Sequence, residues 1–150
     1  MSHLWAAVRV WRCDGVTRRR RANEEQGAFT EQLVADRYDL EHRPDEADWY
    51  DCVNPRTGTK YEVKSTHETL ASGASGRFRL WEDQHRSLTV SDGQVTAWYV
   101  FVLLSETGEV VEVRRMKPST VTEIVDGEWN QAGHRKRKSR QHKLHFGKLF

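Results

Sequence analysis

No stretch of this sequence stays apolar for the roughly 20 residues that a membrane-spanning helix needs, and positions 1–10 lack the continuous apolar core of a signal peptide. Cysteine is scarce: Cys13 and Cys52 lie far apart and outside any C-x-x-C spacing, which argues against a disulfide framework or a cysteine zinc site and leaves two reduced thiols. No G-x-x-x-x-G-K-[ST] pattern occurs, so nucleotide hydrolysis has no support, and no internal repeat is visible. His142 and His145 stand three apart without neighbouring acids or cysteines, a poor zinc site. These absences leave an expected soluble, cytoplasmic protein with no membrane partner.

What is present is one domain's worth of chain: 150 residues, 37% hydrophobic, with six Trp to fill a single core. Its charge is unevenly placed. Residues 133–150 hold seven of the 24 Lys and Arg and no acid, so the remainder carries 17 bases against 22 acids. A second basic run is Arg18, Arg19, Arg20 and Arg21. Patches of this kind neutralise phosphates and release counterions, although a charge run by itself is equally compatible with a solvated segment. The expected division is an N-terminal arm of undetermined structure (1–22), a central domain (23–127) and a basic tail (128–150).

Asn23 before Glu24, Glu25 and Gln26 has the chemistry of a helix cap, which predicts a helix over about 24–38 with Gly27, Glu31, Val34 and Tyr38 on one face. A loop follows over 41–48. Strand-like segments at 49–53 and 60–65 flank the turn residues Asn54, Pro55 and Gly58, which predicts a β-hairpin. Residues 71–76, all Ala, Ser and Gly, read as a mobile loop. Residues 80–88 read as helix, 96–104 as a strand covered on both faces, 109–114 as another strand, and a short helix starts at Ser119.

Centring the hairpin between Arg56 and Thr57 makes facing residue numbers sum to 113, so Asp51 faces Glu62, and strand alternation puts Lys64 on the same face as Glu62. Two facing carboxylates repel unless a cation lies between them, and an all-oxygen site suits Mg²⁺, which polarises a phosphate and lowers the pKa of a bound water. Lys64 is placed to orient that water or offset charge on the phosphate, and Glu31 to complete the metal shell. The same face without an ion is an ordinary Glu–Lys ion pair on a solvated hairpin.

The ordered set Gly27-Ala28-Phe29-Thr30-Glu31, Asp51, Glu62-Val63-Lys64-Ser65 and Gln84, closed by the apolar strand at 96–104, resembles the PD-(D/E)xK nuclease superfamily, and within it the archaeal-type Holliday-junction resolvases. The resemblance covers roughly residues 24–104. It implies a restriction-endonuclease-like α/β fold, a mixed central sheet flanked by helices, and a DNA endonuclease using Mg²⁺, with Mn²⁺ as a substitute. It also implies a homodimer acting on branched or duplex DNA. Asp51, Glu62 and Glu31 become the metal ligands, and Lys64 and Gln84 complete the catalytic set. The strand acid has two rivals, Asp45 of the literal Pro44–Asp45 pair and Asp48, and the residue before Asp51 is Tyr50 rather than Pro. Candidate DNA contacts are Arg18 to Arg21, Ser65, Arg77, Arg79, Arg135, Lys136, Arg137, Lys138 and Arg140. Ser65 equally suits an ordinary strand serine, and His85 a partly buried surface histidine. The competing class is a non-catalytic nucleic-acid-binding module whose acidic hairpin is surface decoration, and a third possibility is a degenerate nuclease fold acting as a structural partner.

Overall fold

The computed structural model describes residues 14–150 apart from 135, with side chains from residue 21 onward. Cys13, the apolar patch before it, the side chains of Arg18, Arg19 and Arg20, and Arg135 lie outside the described residues.

The first helix among the described residues, α1, spans Asp14–Tyr38 and so begins well before Asn23. Arginine is a good helix former and no proline interrupts positions 14–38, so the basic run continues the helix. Asn23 is an exposed mid-helix residue, not a cap. Tyr38 ends the helix, Asp39 turns the chain at positive φ (55°), and Leu40 N–H bonds back to the Ala35 carbonyl. Part of the expected 41–48 loop is a two-residue edge strand, β1 (Glu41–His42), pairing antiparallel with β2 (Cys52–Val53).

The hairpin forms in the expected register. Cys52 pairs with Tyr61 and Val53 with Lys60, both summing to 113, across a turn in which Gly58 takes φ 77° and its N–H bonds the Asn54 carbonyl. The second arm is β3 (Lys60–His67). It pairs in parallel along its whole length with β5 (Ala97–Leu104), which is antiparallel to β6 (Val110–Met116). The result is a five-stranded mixed sheet, order β1-β2-β3-β5-β6, consistent with the restriction-endonuclease-like fold. All of β5 except Trp98 is buried, as a strand covered on both faces requires.

The segment expected as helix over 80–88 is split. Arg77–Trp81 forms strand β4, and α2 starts only at Glu82 and runs to Gln94. The physical reason is a partner far along the chain: β4 pairs antiparallel with β7 (Gln141–His145), which the basic stretch 128–150 contributes. Residues 71–76 form a tight reversal closed by a Thr69–Ser75 bridge and by a bond from the Leu70 N–H to the Ala74 carbonyl. At Gly76 any Cβ would sit 1.7 Å from the His67 carbonyl oxygen, so only glycine allows this return against β3. The last helix, α3 (Pro118–Val125), opens with proline in its first turn and closes at Asp126 in the left-handed region. A 3₁₀ turn, Phe146–Lys148, follows β7.

Alternation on β3 and β5 divides the interior in two. Tyr61, Val63, Val100, Val102 and Leu104 pack with Val34, Ala35 and Cys52 under α1. Tyr99 and Phe101 pack on the other face with Phe78, Leu80, Leu88, Val121, Val125 and Leu144, under β4, β7, α2 and α3. Glu62 and Lys64 belong to this second face, since they are opposite Tyr99 and Phe101 in register. Charged residues therefore emerge beside the larger core, where burial must be compensated.

Candidate active site

At Asp51 the hairpin ladder changes hands. The Asp51 N–H bonds the Tyr61 carbonyl at 2.9 Å, its own carbonyl accepts from Arg43 N–H at 2.8 Å, and its carboxylate accepts the Val63 N–H at 2.8 Å. A side chain thus takes a donor that a longer strand would have used, and this fixes the Asp51 carboxylate against the middle of β3. Glu62 is only 4% exposed, and Lys64 Nζ lies 3.3 Å from its Oε1. The other Glu62 oxygen, Oε2, is buried with no hydrogen-bond partner. An unpartnered buried carboxylate oxygen is costly, and such atoms in native folds call for a functional explanation.

Lys64 is held from the opposite side by Gln84 of α2, whose Oε1 accepts from Nζ at 2.9 Å while its Nε2 donates to the Asp48 carbonyl. An ammonium carries three N–H donors, so with two engaged one is left to point at a ligand. Asp48 thus contributes backbone, and its side chain and that of Asp45 are exposed; Asp51, just before β2, shares a field with Glu62. Glu31 reaches toward the pair from α1. One of its oxygens is 3.0 Å from His42 Nε2, and its charge helps push up the pKa of both Asp51 and Glu62.

Burial, then the charges of Glu62 and Glu31, raise the Asp51 pKa to about 9, against the smaller opposing pull of the Val63 N–H and Lys64. Burial likewise pushes Glu62 up, opposed chiefly by Lys64. Cys52, behind the site, is held as a thiol at about 12 by burial and the same acids, and its Sγ touches the Glu31 carbonyl oxygen. Among the described residues no three His, Cys, Asp or Glu side chains stand close enough to share one ion. Mg²⁺ does not need three: it commonly takes one or two carboxylates plus waters and substrate phosphate. Two mutually destabilised carboxylates and an orphaned Glu62 oxygen fit such a hard divalent cation.

The candidate DNA contacts are dispersed. Ser65 lies on the α1 face, where its Oγ accepts from Gln26 Nε2 at 3.1 Å, away from Lys64. Arg140 is taken up by Glu82 through two bonds of 2.8 and 2.6 Å. Arg137 pairs with Asp83 at 2.9 Å, stacks 4.3 Å over the Trp81 ring, and is close enough to Glu62 to lower its pKa. Arg21, Lys136 and Lys138 are exposed, as are Arg77 and Arg79 on β4. The approach of Arg137 to Glu62 depends on the chain's return after residue 128, which local sequence does not reveal. His85 is a core residue, its Nδ1 2.8 Å from Tyr99 Oη and its Nε2 2.8 Å from Thr122 Oγ1, and not the partly buried surface histidine expected from spacing. Its signal was the apolar face of α2 that it shares with Leu88.

No helix among the described residues is long and apolar enough to cross a membrane. A comparison with curated proteins finds no match. A sequence model of the PD-(D/E)XK nuclease superfamily domain matches residues 16–150, which includes the basic C-terminal stretch as well as the hairpin. Members of that superfamily are generally nucleases, typically with divalent metal ions and necessarily with nucleic-acid substrates. With the sheet, the part-buried acid pair and its lysine in the order this match spans, the chain belongs to the PD-(D/E)XK nuclease superfamily.

Proposed function

We propose that the protein is a Mg²⁺-dependent DNA endonuclease, with Asp51 and Glu62 holding the ion and Lys64 acting at the scissile phosphate. The observation that carries this reading is the buried, unpartnered Oε2 of Glu62 beside an Asp51 carboxyl that burial and neighbouring acids keep protonated near neutral pH. A fold retains so unfavourable a pair where a ligand relieves it.

A divalent cation bound there supplies charge neutralisation at the phosphate and a water acidic enough to attack it. The chain's own residues do the rest. Asp51 must release its proton before it can serve as a ligand, so ion binding carries proton release with it. Lys64, fixed between Glu62 and Gln84, directs its remaining N–H toward the phosphate and offsets the negative charge that builds as the bond to the leaving oxygen breaks. Glu31, restrained by His42, adds negative potential that favours cation entry from outside the ion's own shell. Mn²⁺, which accepts the same oxygen donors, should substitute.

Within that activity, cleavage of four-way DNA junctions by a homodimer is the finer form we favour, supported by the resemblance of the ordered acid, acid, lysine and glutamine set to archaeal-type resolvases. The test is cleavage of a labelled four-way junction and a matched linear duplex, with Mg²⁺, with Mn²⁺ and with chelator, by the native chain and Glu62→Ala. Metal-dependent cutting lost in the variant supports the nuclease, and paired symmetric nicks confined to the junction support resolution. DNA binding without cutting under any metal would overturn the catalytic reading in favour of a binding module.

A further inference from the structure

The β4–β7 ribbon carries an arrangement that folding alone disfavours. Its register places Arg79 directly opposite Lys143 and Arg77 opposite His145. The alternate residues Phe78, Leu80, His142 and Leu144 are buried, so Arg77, Arg79, Lys143 and His145 share the outward face. Like charges directly opposite on a ribbon repel. Among the described residues no carboxylate lies within ion-pair distance of Arg77, Arg79 or Lys143, whereas the neighbouring Arg137 and Arg140 each have one. Loss of solvent, and then the two arginines, pull Lys143 below the usual lysine range, so the repulsion is felt.

The ribbon leads to the acid pair. At its end Trp81 lies under two guanidinium groups, that of Arg79 5.7 Å and that of Arg137 4.3 Å from the ring centroid. Besides Lys64, Arg137 also reaches the field of Glu62, and its Nε is buried without a partner. From Arg77 to Trp81 is about 14 Å at the usual rise of ~3.4 Å per residue, which matches about four base steps of ~3.4 Å along duplex DNA. Trp81 is the one aromatic of β4 on this face, and it is buried beneath the arginines, so the face that β4 presents is cationic rather than aromatic.

We infer that the outward face of the β4–β7 ribbon, Arg77, Arg79 and Lys143, continued by Arg137, is a docking surface for the sugar-phosphate backbone of duplex DNA leading into the acid pair. The inference rests on the nuclease reading for its direction, since the track ends where cutting would occur. Its energetics do not depend on that reading. The cations repel one another in the free protein, and phosphates relieve the repulsion.

Binding of a fluorescent duplex to the full chain, in chelator so that nothing is cut, tests it across a salt series. Arg79→Ala with Lys143→Ala should reduce the slope of log affinity against log salt by about 2, one for each cation withdrawn from a phosphate, and weaken all duplex sequences alike. Arg56→Ala, which removes an exposed cation at the hairpin turn, should leave affinity and slope unchanged. The double variant should melt no lower than the native chain, and Arg79→Glu, which faces Lys143 with an opposite charge, should melt higher while binding more weakly. Native affinity and slope in folded Arg79→Glu and in the double variant would overturn the inference, as would a loss confined to single-stranded DNA. If ribbon variants lose binding while no metal elicits cutting, the docking surface stands and the nuclease reading falls. If the chain cuts and ribbon variants bind and cut like the native chain, the docking surface falls alone.

Discussion

Two buried polar clusters sit side by side on one face of the sheet, and they differ in how far their hydrogen bonds are satisfied. Glu62 and Tyr99 are register partners on β3 and β5, and Gln84 and His85 are consecutive on α2. In the His85 cluster every polar atom is engaged: the ring bridges Tyr99 and Thr122, and Thr122 donates onward to the Pro118 carbonyl. In the Glu62 cluster one carboxylate oxygen has no partner, two acids share a field and one ammonium donor is left over. Burial is alike in both; closure is not. A closed network ties α2 and α3 to the sheet, and an open one keeps its unmet valences for something that arrives later.

The widest separation between the clusters should appear on removing one member of each. Glu62→Ala should cost on the order of 10³-fold or more in metal-dependent cleavage, as expected when a group acting at the reacting phosphate is lost. In chelator the same variant should melt no lower than the native chain, because losing the ion pair with Lys64 is offset by removing a buried carboxylate whose Oε2 has no partner and which Glu31 repels. A variant that keeps its cleavage rate, or that unfolds, would make Glu62 an ordinary structural residue. His85→Ala should do the reverse. It leaves the Tyr99 hydroxyl without its partner and opens a cavity against Trp129, for a loss of about 2–4 kcal/mol in denaturant unfolding.

The two clusters also pull stability in opposite directions with pH. Asp51 titrates at about 9 in the metal-free fold against an ordinary value of 3.8, so the folded chain keeps a proton that the unfolded chain has released. The stability this gives is whole below pH about 4 and is lost as pH rises toward 9. The groups setting that shift are burial, Glu62 and Lys64 of β3, Glu31 of α1 and the Val63 N–H. His85 is depressed below 6.5 by burial, against a smaller upward pull from Glu82, so its contribution is present above pH about 6.5 and lost as pH falls. Melting curves in chelator should therefore decline on the alkaline side, and Asp51→Asn should flatten that decline. Mg²⁺ at a hundred times its dissociation constant should restore about 2.7 kcal/mol, which is about 5–10 °C for a chain this size, and more effectively as pH rises and Asp51 ionises. A Mg²⁺ effect that does not change with pH would contradict the protonated Asp51.

How much of this was legible follows from where each residue's partner lies in sequence. The register of Cys52 with Tyr61 and Val53 with Lys60 was readable because Asn54 and Gly58 fix a short turn, and a short turn fixes register; at Asp51 the ladder departs from it, its N–H bonding the Tyr61 carbonyl. Lys64 follows by alternation. The buried strand Ala97–Leu104 announced itself as a continuous apolar run. The helix extent did not, because Asn23 offers a cap that arginine-rich helix propensity overrides. The ribbon was harder. Arg77-Phe78-Arg79-Leu80-Trp81 and Gln141-His142-Lys143-Leu144-His145 both alternate with period two, yet the partners lie some 60 residues apart and Leu80 to Leu88 also offers a helical spacing. The approach of Arg137 to Glu62 follows from that pairing, so it was hidden with it. The engagement of Glu31 by His42 needed β1, a two-residue strand too short to leave a pattern.

The smallest expected effect lies at Gln84, where the open cluster meets the closed one. Its Oε1 accepts from Lys64 and its Nε2 donates to the Asp48 carbonyl, so it positions the ammonium without touching substrate. Gln84→Ala removes both bonds and frees Lys64 to rotate about Glu62, which should lower kcat about tenfold, a loss of about 1.4 kcal/mol, with little change in KM. Gln84→Glu keeps an acceptor for Lys64 and gives up only the donor to Asp48. If Gln84 works through Lys64, the glutamate variant should cut faster than the alanine variant even though neither can donate to the loop. If the two fall equally, the bond to Asp48 is the one that matters, and Gln84 belongs with His85 as part of the scaffold.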